Sequence, residues 1–263
     1  MMKTFLAGVV STLLLATAAQ AAEPVKIALI DPLSGPMASA GQPAYEHLKF
    51  AAERINANGG MNGHPVEIVG LDNKLSPQES LVQLQKAMDN GVDFITQGNG
   101  SSVASALIAG IEKHNRRNPG DERLFLNYAA VDPDLTNERC SFWHFRFDAN
   151  SDMKMNALTD YLAGQKEIKK VYLINQDYSH GRSVSAQARK MLKEKRPDIE
   201  VVGNDFPPLA KVKDFTPYIS KIQASGADAV ITGNWGQDLT LLVKAAADFG
   251  LAAPFFTYYG ASS

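Results

Sequence analysis

The feature that most constrains the fold is a regular alternation of short apolar runs with longer segments of helical periodicity. Val25 to Ile30 and Val66 to Leu71 are apolar runs of strand length. Between them, apolar residues recur every three or four positions until Asn58-Gly59-Gly60, and after them Ser76-Pro77-Gln78-Glu79 is a capping box that opens a second helix. Strands that alternate with helices in this way favour a parallel sheet covered by helices on both faces.

The alternation forms two successive sets. Strands at Val92 to Thr96 and Leu124 to Asn127 continue the first set, an irregular segment interrupts it, and Phe142 to Phe147 is predicted to be a strand at the crossing into the second set. We therefore expect an α/β protein of two doubly wound, mostly parallel lobes with a cleft between them. The first lobe is predicted over residues 22–140 and the second over residues 141–263.

The N-terminus has the layout of a secretory signal. One positive charge, Lys3, precedes an apolar run from Phe5 to Ala16 and the small-residue site Ala19-Gln20-Ala21. The apolar run is too short to span a membrane. We therefore predict that residues 1–21 are a signal peptide and that the mature chain begins at Ala22.

Charge and cysteine content exclude several kinds of partner and cross-link. The formal net charge is −2, which gives no electrostatic reason to expect nucleic acid or an anionic membrane as a partner. Cys140 is the single cysteine of the sequence, so it has no second cysteine with which to form an internal disulfide.

Small and hydroxyl-bearing residues follow the strands of the first set. Gly98-Asn99-Gly100-Ser101-Ser102 separates an apolar strand from a helix, and the first N–H groups of such a helix, with its positive dipole end, favour a carboxylate or phosphate. A serine that only caps the helix is the alternative. Ligands collect at the carboxyl ends of parallel strands, so six residues are predicted to hold the charged group of a ligand. They are Gly100, Ser101, Ser102, Ala129, Ala130 and Val131.

Aromatic residues follow the strands of the second set. His180, Trp235 and Tyr259 lie in the predicted turns at those strand ends, with Tyr178 and Tyr258 beside them. We predict that His180, Trp235 and Tyr259 cover the body of a small acid whose carboxylate is held by the other lobe. Ordinary core packing of Trp235, and capping or solvent exposure of His180, are the alternatives.

Motifs of catalysis and of cofactor binding are missing from the sequence. There is no Gly-Lys-Ser/Thr phosphate loop, no third glycine to complete a dinucleotide fingerprint, no Gly-x-Ser-x-Gly elbow and no His-Glu-x-x-His pair. The five histidines do not have metal-ligand spacing. We therefore predict a binding protein rather than an enzyme, without catalytic residues, cofactor or metal.

Several segments occur in an order and spacing that resemble a known family. The segments are Pro32 to Pro36, Ile55 to Gly63, Ala129-Ala130 followed by Pro133 to Thr136, and Lys213 to Thr216. Together they resemble the solute-binding proteins of branched-chain amino-acid type ABC importers, the leucine/isoleucine/valine-binding family with the type I periplasmic-binding fold. The resemblance covers Val25 to Gly260. It implies a periplasmic protein whose two lobes close on a small carboxylate and which docks on an inner-membrane permease, and we expect a monomer.

Two positions depart from the amino-acid binders of that family. Where those proteins hold an ammonium with an acid after the last strand and a threonine after the two alanines, this sequence has Tyr259 and Val131. A buried ammonium without a partner charge is costly. The ligand is therefore predicted to be either a branched-chain or related amino acid or an aromatic acid such as a benzoate.

Two further interpretations of function remain beside transport. One is a secreted domain that senses a ligand without transporting it, and the other is a hydrolase or transferase, which would need to pair Ser101 with His180 across the two lobes. Members of the family continue with segments that return to the first lobe. We therefore expect that this chain, which stops at Gly260-Ala261-Ser262-Ser263, is truncated at its C-terminus.

We predict that an exported form of the protein loses residues 1–21, because the charge, the apolar run and the Ala-x-Ala site occur together. The intact mass of periplasmic material measures this directly. Soluble periplasmic protein that retains Met1 to Ala21 would contradict the prediction.

Overall fold

The computed structural model describes residues 22–260, so the predicted signal peptide lies outside the described range. The described residues form two parallel sheets. The first sheet has the strand order β2-β1-β3-β4-β5 and the second has the order β7-β6-β8-β9. The predicted α/β architecture of two doubly wound lobes is confirmed.

The first sheet is built from strand–helix units at short spacing. Its strands are β1 (Val25–Asp31), β2 (Val66–Asp72), β3 (Phe94–Gln97), β4 (Leu124–Asn127) and β5 (His144–Arg146). Its helices are α1 (Ala38–Ala57), α2 (Pro77–Asp89) and α3 (Ser101–Arg117), and a short 3₁₀ turn follows at Pro133–Thr136. The capping box opens α2 as the sequence predicts, since Ser76 Oγ accepts the N–H of Glu79 at 3.2 Å.

The second sheet repeats the same pattern. Its strands are β6 (Lys170–Ile174), β7 (Glu200–Asp205), β8 (Ala229–Ile231) and β9 (Phe255–Phe256). Its helices are α4 (Ser151–Ala163), α5 (Ser179–Lys195), α6 (Thr216–Ser225) and α7 (Gly236–Phe249). Both α6 and α7 end at a glycine in the left-handed conformation, Gly226 and Gly250, where a side chain would be strained.

The central strand β6 shows why both faces of this sheet are apolar. Val171 and Leu173 point into a core shared with α4 and α5, whereas Tyr172 and Ile174 point into a second core shared with α6 and α7. Successive strand residues face opposite sides of a sheet. The covered part of a strand with helices on both sides is therefore continuously apolar, and in β6 this is the run from Val171 to Ile174 after the exposed Lys170.

Strand β5 lies in the first sheet, which differs from the expected division of the chain. It pairs in parallel with β4, through register partners such as Phe125 and His144. The His144 ring stacks on Phe125 at a centroid distance of 5.1 Å, and its Nδ1 lies 3.1 Å from Leu135 O. The first sheet thus extends beyond residue 140, the expected end of the first lobe. The pairing of β5 with β4 joins segments far apart in the chain, so no local pattern in the sequence indicates it.

None of the helices within residues 22–260 combines the length and the apolar character that crossing a membrane requires.

Arg196 ties the end of α4 to the end of α5 in the second lobe. Its guanidinium donates to Leu162 O at 3.1 Å, Gln165 O at 2.9 Å and Ile168 O at 2.9 Å. It also pairs with Asp198 at 2.7 Å. The side chain is buried, so these carbonyl groups have little access to water as a substitute partner.

We therefore predict that Arg196→Met lowers the free energy of unfolding by about 2 to 4 kcal/mol, since several charge-assisted hydrogen bonds are lost together. Urea unfolding measures the change. Arg189→Met is the matched control, because Arg189 is exposed on the same helix, and it should change the free energy by less than about 0.5 kcal/mol. Equal effects of the two substitutions would contradict the structural role given to Arg196.

Candidate functional site

A cavity of about 540 Å³ lies between the two sheets, at the carboxyl ends of their strands. Residues that follow β3 and β4 line one side, and residues that follow β6, β8 and β9 line the other. The start of α1 closes the first-lobe side with small residues such as Ala40. The volume is within the usual range for small-molecule sites in proteins.

The structure brings eight of the nine predicted site residues together in this cavity. They are Gly100, Ser101, Ala129, Ala130, Val131, His180, Trp235 and Tyr259. Ser102 is not among the lining residues. It is the second residue of α3, and one step along a helix turns the side chain by about 100°, so the hydroxyl of Ser102 points elsewhere than that of Ser101.

Residues 98–102, which we call the carboxylate seat, connect β3 to α3. Gly100 has a φ of +92°, a conformation that favours glycine. A Cβ atom at Gly98 would lie 2.4 Å from the Tyr128 ring, so this position also requires glycine. The turn is therefore tight enough to leave the first N–H groups of α3 at the cavity, where the helix dipole adds positive potential.

Ser101 joins the seat to the next loop. Its side chain is only 3% exposed, and its Oγ accepts the N–H of Asp132 at 3.3 Å. Because the hydroxyl uses a lone pair in that bond, its own hydrogen can still be donated to an acceptor in the cavity. The capping alternative for this serine is wrong, because the N-cap position of α3 is Gly100 and no side chain caps the helix.

The amides of Ala129 and Ala130 differ from the expectation that they hold a carboxylate. Their N–H groups donate to Asn127 Oδ1 at 3.2 and 2.7 Å, and Asn127 Nδ2 donates to Ala130 O at 2.8 Å. The side chain of Asn127 therefore supplies the hydrogen-bond partners of the backbone groups in this turn. The two alanines line the cavity, but their N–H groups are already paired, whereas the first N–H groups of α3 have no partner within the helix.

A buried carboxyl group underlies the seat. Asp31, the last residue of β1, accepts the N–H of Asn99 at 3.0 Å and the hydroxyl of Tyr128, and Asn99 Nδ2 donates to Tyr128 Oη at 3.0 Å. Asp31 has no exposed surface. Burial raises the pKa of Asp31 to about 7, although these hydrogen bonds oppose the rise.

The second-lobe side of the cavity is lined mainly by aromatic side chains and a histidine. Trp235 is 8% exposed and its Nε1 donates to Tyr178 Oη at 2.7 Å. The His180 ring lies 6.1 Å from the Tyr259 ring, and the Tyr258 and Tyr259 rings are 4.9 Å apart. These are normal distances for interacting aromatic rings. Trp235 is therefore both buried and cavity-lining, so the core and ligand interpretations of this residue do not exclude each other. His180 is buried as well, and no side chain caps α5, so the alternatives of solvent exposure and capping are wrong for His180.

A polar network fixes the backbone beneath Trp235. Gln176 Nε2 donates to Trp235 O at 3.2 Å and to Asp238 Oδ2 at 2.9 Å, and the same oxygen accepts the N–H of Ala210 at 2.9 Å. Gln176 and Asp238 are both buried. Burial raises the pKa of Asp238 above its usual value. Trp235 is thus fixed by two hydrogen bonds, one to its backbone carbonyl oxygen from Gln176 and one from its indole nitrogen to Tyr178.

His180 is neutral at physiological pH. Burial, and to a smaller extent the charge of Lys154, lowers the pKa of His180 to about 4. Its Nε2 lies 3.3 Å from Gly233 O, and a carbonyl oxygen can only accept, so Nε2 carries the proton. The remaining nitrogen, Nδ1, is buried without a hydrogen-bond partner among the described residues.

Sequence reasoning missed a charged pair in the cavity wall. Lys154 Nζ lies 2.6 Å from Asp148 Oδ2, and both residues line the cavity. Asp148 lies between β5 and α4, and Lys154 is in the first turns of α4. A single acid in a loop and a single lysine in a helix are ordinary surface patterns, so the sequence has no signal that places them at the ligand.

No cluster of three or more histidine, cysteine or acidic side chains suitable for a metal ion occurs within residues 22–260.

Comparison with known proteins gives one consistent result. The family described as "Periplasmic binding protein" matches residues 24–263. The Leu/Ile/Val-binding protein homolog 4 of Brucella abortus is 39% identical over 262 residues, which is 98% of this chain and 62% of the relative. The chain therefore spans less than two thirds of the length of this relative.

Solved structures agree with that comparison. The leucine-, isoleucine-, valine-, threonine- and alanine-binding protein of Brucella ovis, in a closed conformation, matches with a TM-score of 0.73 and 38% identity, covering 90% of this chain and 60% of that one. A solute-binding protein of an R. palustris ABC transporter, solved with 4-hydroxybenzoate, has the same fold, with a TM-score of 0.76 and 23% identity over 89% of this chain and 61% of that one.

The buried Asp31 predicts a pH-dependent stability difference. A raised folded-state pKa means that the folded protein binds the proton more tightly than the unfolded chain, so Asp31 costs increasing stability as pH rises from about 4 to about 7. We predict that Asp31→Asn gains roughly 2 kcal/mol relative to the native protein between pH 5 and pH 8. Urea unfolding of both proteins at the two pH values measures it.

Asp72 provides the control. It is the register partner of Asp31 on β2. Its pKa is lowered by hydrogen bonds from Ser34 and neighbouring backbone N–H groups, which outweigh partial burial. Its contribution to stability is therefore lost only below about pH 4, and Asp72→Asn should cost the same at pH 5 and pH 8. A difference for Asp31→Asn that does not change with pH would show that Asp31 is already ionised at pH 5.

Proposed function

This chain belongs to the periplasmic binding protein family, and we propose that it captures a small carboxylate ligand in the cavity between its lobes and delivers it to the permease of an ABC importer. The observation that carries the proposal is the pairing of two unlike surfaces across one cavity. The helix-terminal seat of the first lobe offers backbone donors, and the second lobe offers rings. Such a site fits a molecule with one anionic end and one apolar end.

The anionic end is assigned to the seat. Gly100 and Ser101, where α3 starts, line the cavity, and the backbone N–H groups of a helix start together with a hydroxyl need no counter-charge to hold a carboxylate. The seat is also prearranged, because Asp31 and Asn127 hold the adjoining turns through hydrogen bonds. A ligand therefore loses little free energy in ordering the loop.

The leading ligand is a branched-chain or related amino acid, in line with the names of the relatives that are 38 to 39% identical. Its ammonium would need an acid, and Asp148 is the acidic residue in the lining. Asp148 already pairs with Lys154 at 2.6 Å, so an ammonium would have to compete with a lysine for it.

That competition supports an aromatic acid as the second candidate. An aromatic acid has no ammonium, and its ring would contact Trp235, His180 and Tyr259, all of which line the cavity. The rings of His180 and Tyr259 already interact with each other at 6.1 Å. The neutral state of His180 suits an uncharged ring beside it. Under either assignment the protein acts in the periplasm, as a monomer that presents its loaded form to an inner-membrane permease.

Calorimetry of leucine, benzoate and 4-hydroxybenzoate against the mature protein tests the proposal. We predict that Ser101→Ala weakens every acid that binds by about tenfold, because a hydrogen bond to a charged acceptor contributes about 1.5 to 3 kcal/mol. Ser102→Ala is the matched control on the same helix turn, and it should leave affinity within about twofold. Trp235→Ala should change the order of preference among the acids, since it alters the apolar wall.

Two outcomes decide the assignment. If leucine binds more than about a hundredfold tighter than both aromatic acids, the amino-acid assignment holds and the aromatic candidate is excluded. If none of the three binds, or if Ser101→Ala and Ser102→Ala have equal effects, the carboxylate seat is wrong.

A further inference from the structure

Polar atoms with unused hydrogen-bonding capacity lie on the second-lobe wall of the cavity. They belong to Lys154, His180 and Tyr258, all of which line the cavity. Neither His180 Nδ1 nor Tyr258 Oη has a hydrogen-bond partner among the described residues. Buried polar atoms in native proteins nearly always have partners, and leaving one unpaired is costly. A ligand in the cavity is a natural source of the missing partners, because His180 and Tyr258 line the cavity.

The ammonium group of Lys154 has more N–H donors than it has acceptors among the described residues. An ammonium has three N–H donors, and within residues 22–260 Lys154 Nζ has one acceptor, Asp148 Oδ2 at 2.6 Å. Its other neighbours are ring faces, since Nζ lies 5.6 Å from the Tyr258 centroid and 5.3 Å from that of Tyr259. The side chain is 16% exposed, so water supplies few of the remaining acceptors.

His180 contributes an acceptor to the same region. Because Nε2 donates to Gly233 O, the lone pair of the ring lies on Nδ1. The ring of His180 is 6.1 Å from that of Tyr259, over which Lys154 Nζ also lies. The ring of Tyr259 thus lies beside both the ammonium of Lys154, which has unused N–H donors, and the imidazole of His180, which has an unused acceptor.

Three kinds of ligand group can be compared at this place. A second carboxylate only accepts, so it would satisfy Lys154 but confront the lone pair of His180 Nδ1. An ammonium only donates, so it would satisfy His180 but be repelled by Lys154. A hydroxyl can accept from Lys154 Nζ and donate to His180 Nδ1 at once. Tyr258 Oη can add a further donor, since a hydroxyl oxygen has two lone pairs.

We propose that the cavity has a second anchor, formed by Lys154 and His180, which recognises a hydroxyl group at the far end of the acid ligand. The inference narrows the second candidate, the aromatic acid, to one that also carries a hydroxyl, with its carboxylate held at the seat and its hydroxyl at the second lobe. This inference rests on the proposed function, because it requires that the carboxylate be bound at the seat. When the lobes close on such a ligand, the carboxylate contacts the first lobe and the hydroxyl contacts the second, so the ligand bridges the two lobes.

Three ring acids of matched shape test the second anchor. Benzoate has no group at the far end, 4-methylbenzoate has an apolar group, and 4-hydroxybenzoate has a hydroxyl of similar size. We expect the native protein to bind 4-hydroxybenzoate at least about tenfold tighter than 4-methylbenzoate, since a site that hydrogen-bonds a hydroxyl rejects the analogue that lacks it. This comparison uses the native protein alone and does not depend on the folding of any variant.

Two variants test whether Lys154 and His180 cause the preference for 4-hydroxybenzoate over 4-methylbenzoate. Lys154→Met and His180→Phe each remove one partner while keeping similar bulk, so each should reduce the preference for the hydroxyl to less than about threefold. The measured quantity is the ratio of the affinities for 4-hydroxybenzoate and 4-methylbenzoate, so a general effect of either substitution on acid binding cancels. Lys166→Met is the control, because Lys166 is exposed in the same lobe, and it should leave the preference intact.

The outcomes separate this inference from the proposed function. If benzoate binds but the hydroxyl adds nothing, the second anchor is wrong while the carboxylate seat stands. Terephthalate binding tighter than 4-hydroxybenzoate, with the gain lost in Lys154→Met, would overturn the hydroxyl assignment in favour of a diacid. If Lys154→Met strengthens leucine and Asp148→Asn abolishes it, the wall binds an ammonium and the inference is again wrong. Failure of all the acids to bind would refute both proposals.

Discussion

The buried carboxyl group of Asp31 is the interaction on which the first-lobe half of the cavity depends. β1, β3 and β4 are neighbours in the sheet, so the loops that follow them meet at one edge. Asp31 connects these loops through Asn99 and Tyr128. The desolvation of Asp31 is the cost of this arrangement, and its raised pKa is the measure of that cost. The benefit is a loop whose backbone donors are fixed before a ligand arrives.

The two lobes use hydrogen bonds for different purposes. In the first lobe, Asp31 and Asn127 pair with loop amides and so determine which N–H groups remain for a ligand. In the second lobe, Tyr178 and Gln176 hold Trp235 by its indole nitrogen and its carbonyl oxygen, so the polar contacts orient an apolar surface. The cavity therefore combines a polar end and an apolar end, each rigid for its own reason, which is the arrangement that an amphipathic small molecule requires.

Periodicity predicted the elements well because each of them buries a face that is visible in a short window of sequence. The apolar run of β6 and the capping box of α2 are examples. Prediction was weakest where pairing is remote in sequence. β5 joins the first sheet through partners on β4 nearly twenty residues away, and nothing in the local pattern of Phe142 to Phe147 indicates which sheet will accept it. The membership of β5 in the first sheet is therefore known only from the structure.

The sequence by itself determined the two-lobed α/β scaffold, the position of Gly100 and Ser101 at the cavity, and the aromatic character of the opposite wall, because strand ends in a parallel sheet have a predictable location. Only the tertiary structure decided which polar atoms in those loops are free. Asn127 uses the amides of Ala129 and Ala130, and Lys154 and Asp148 meet in the cavity from a helix and a loop. Hydrogen-bond partners depend on distances between segments far apart in the chain, and those distances exist only after folding.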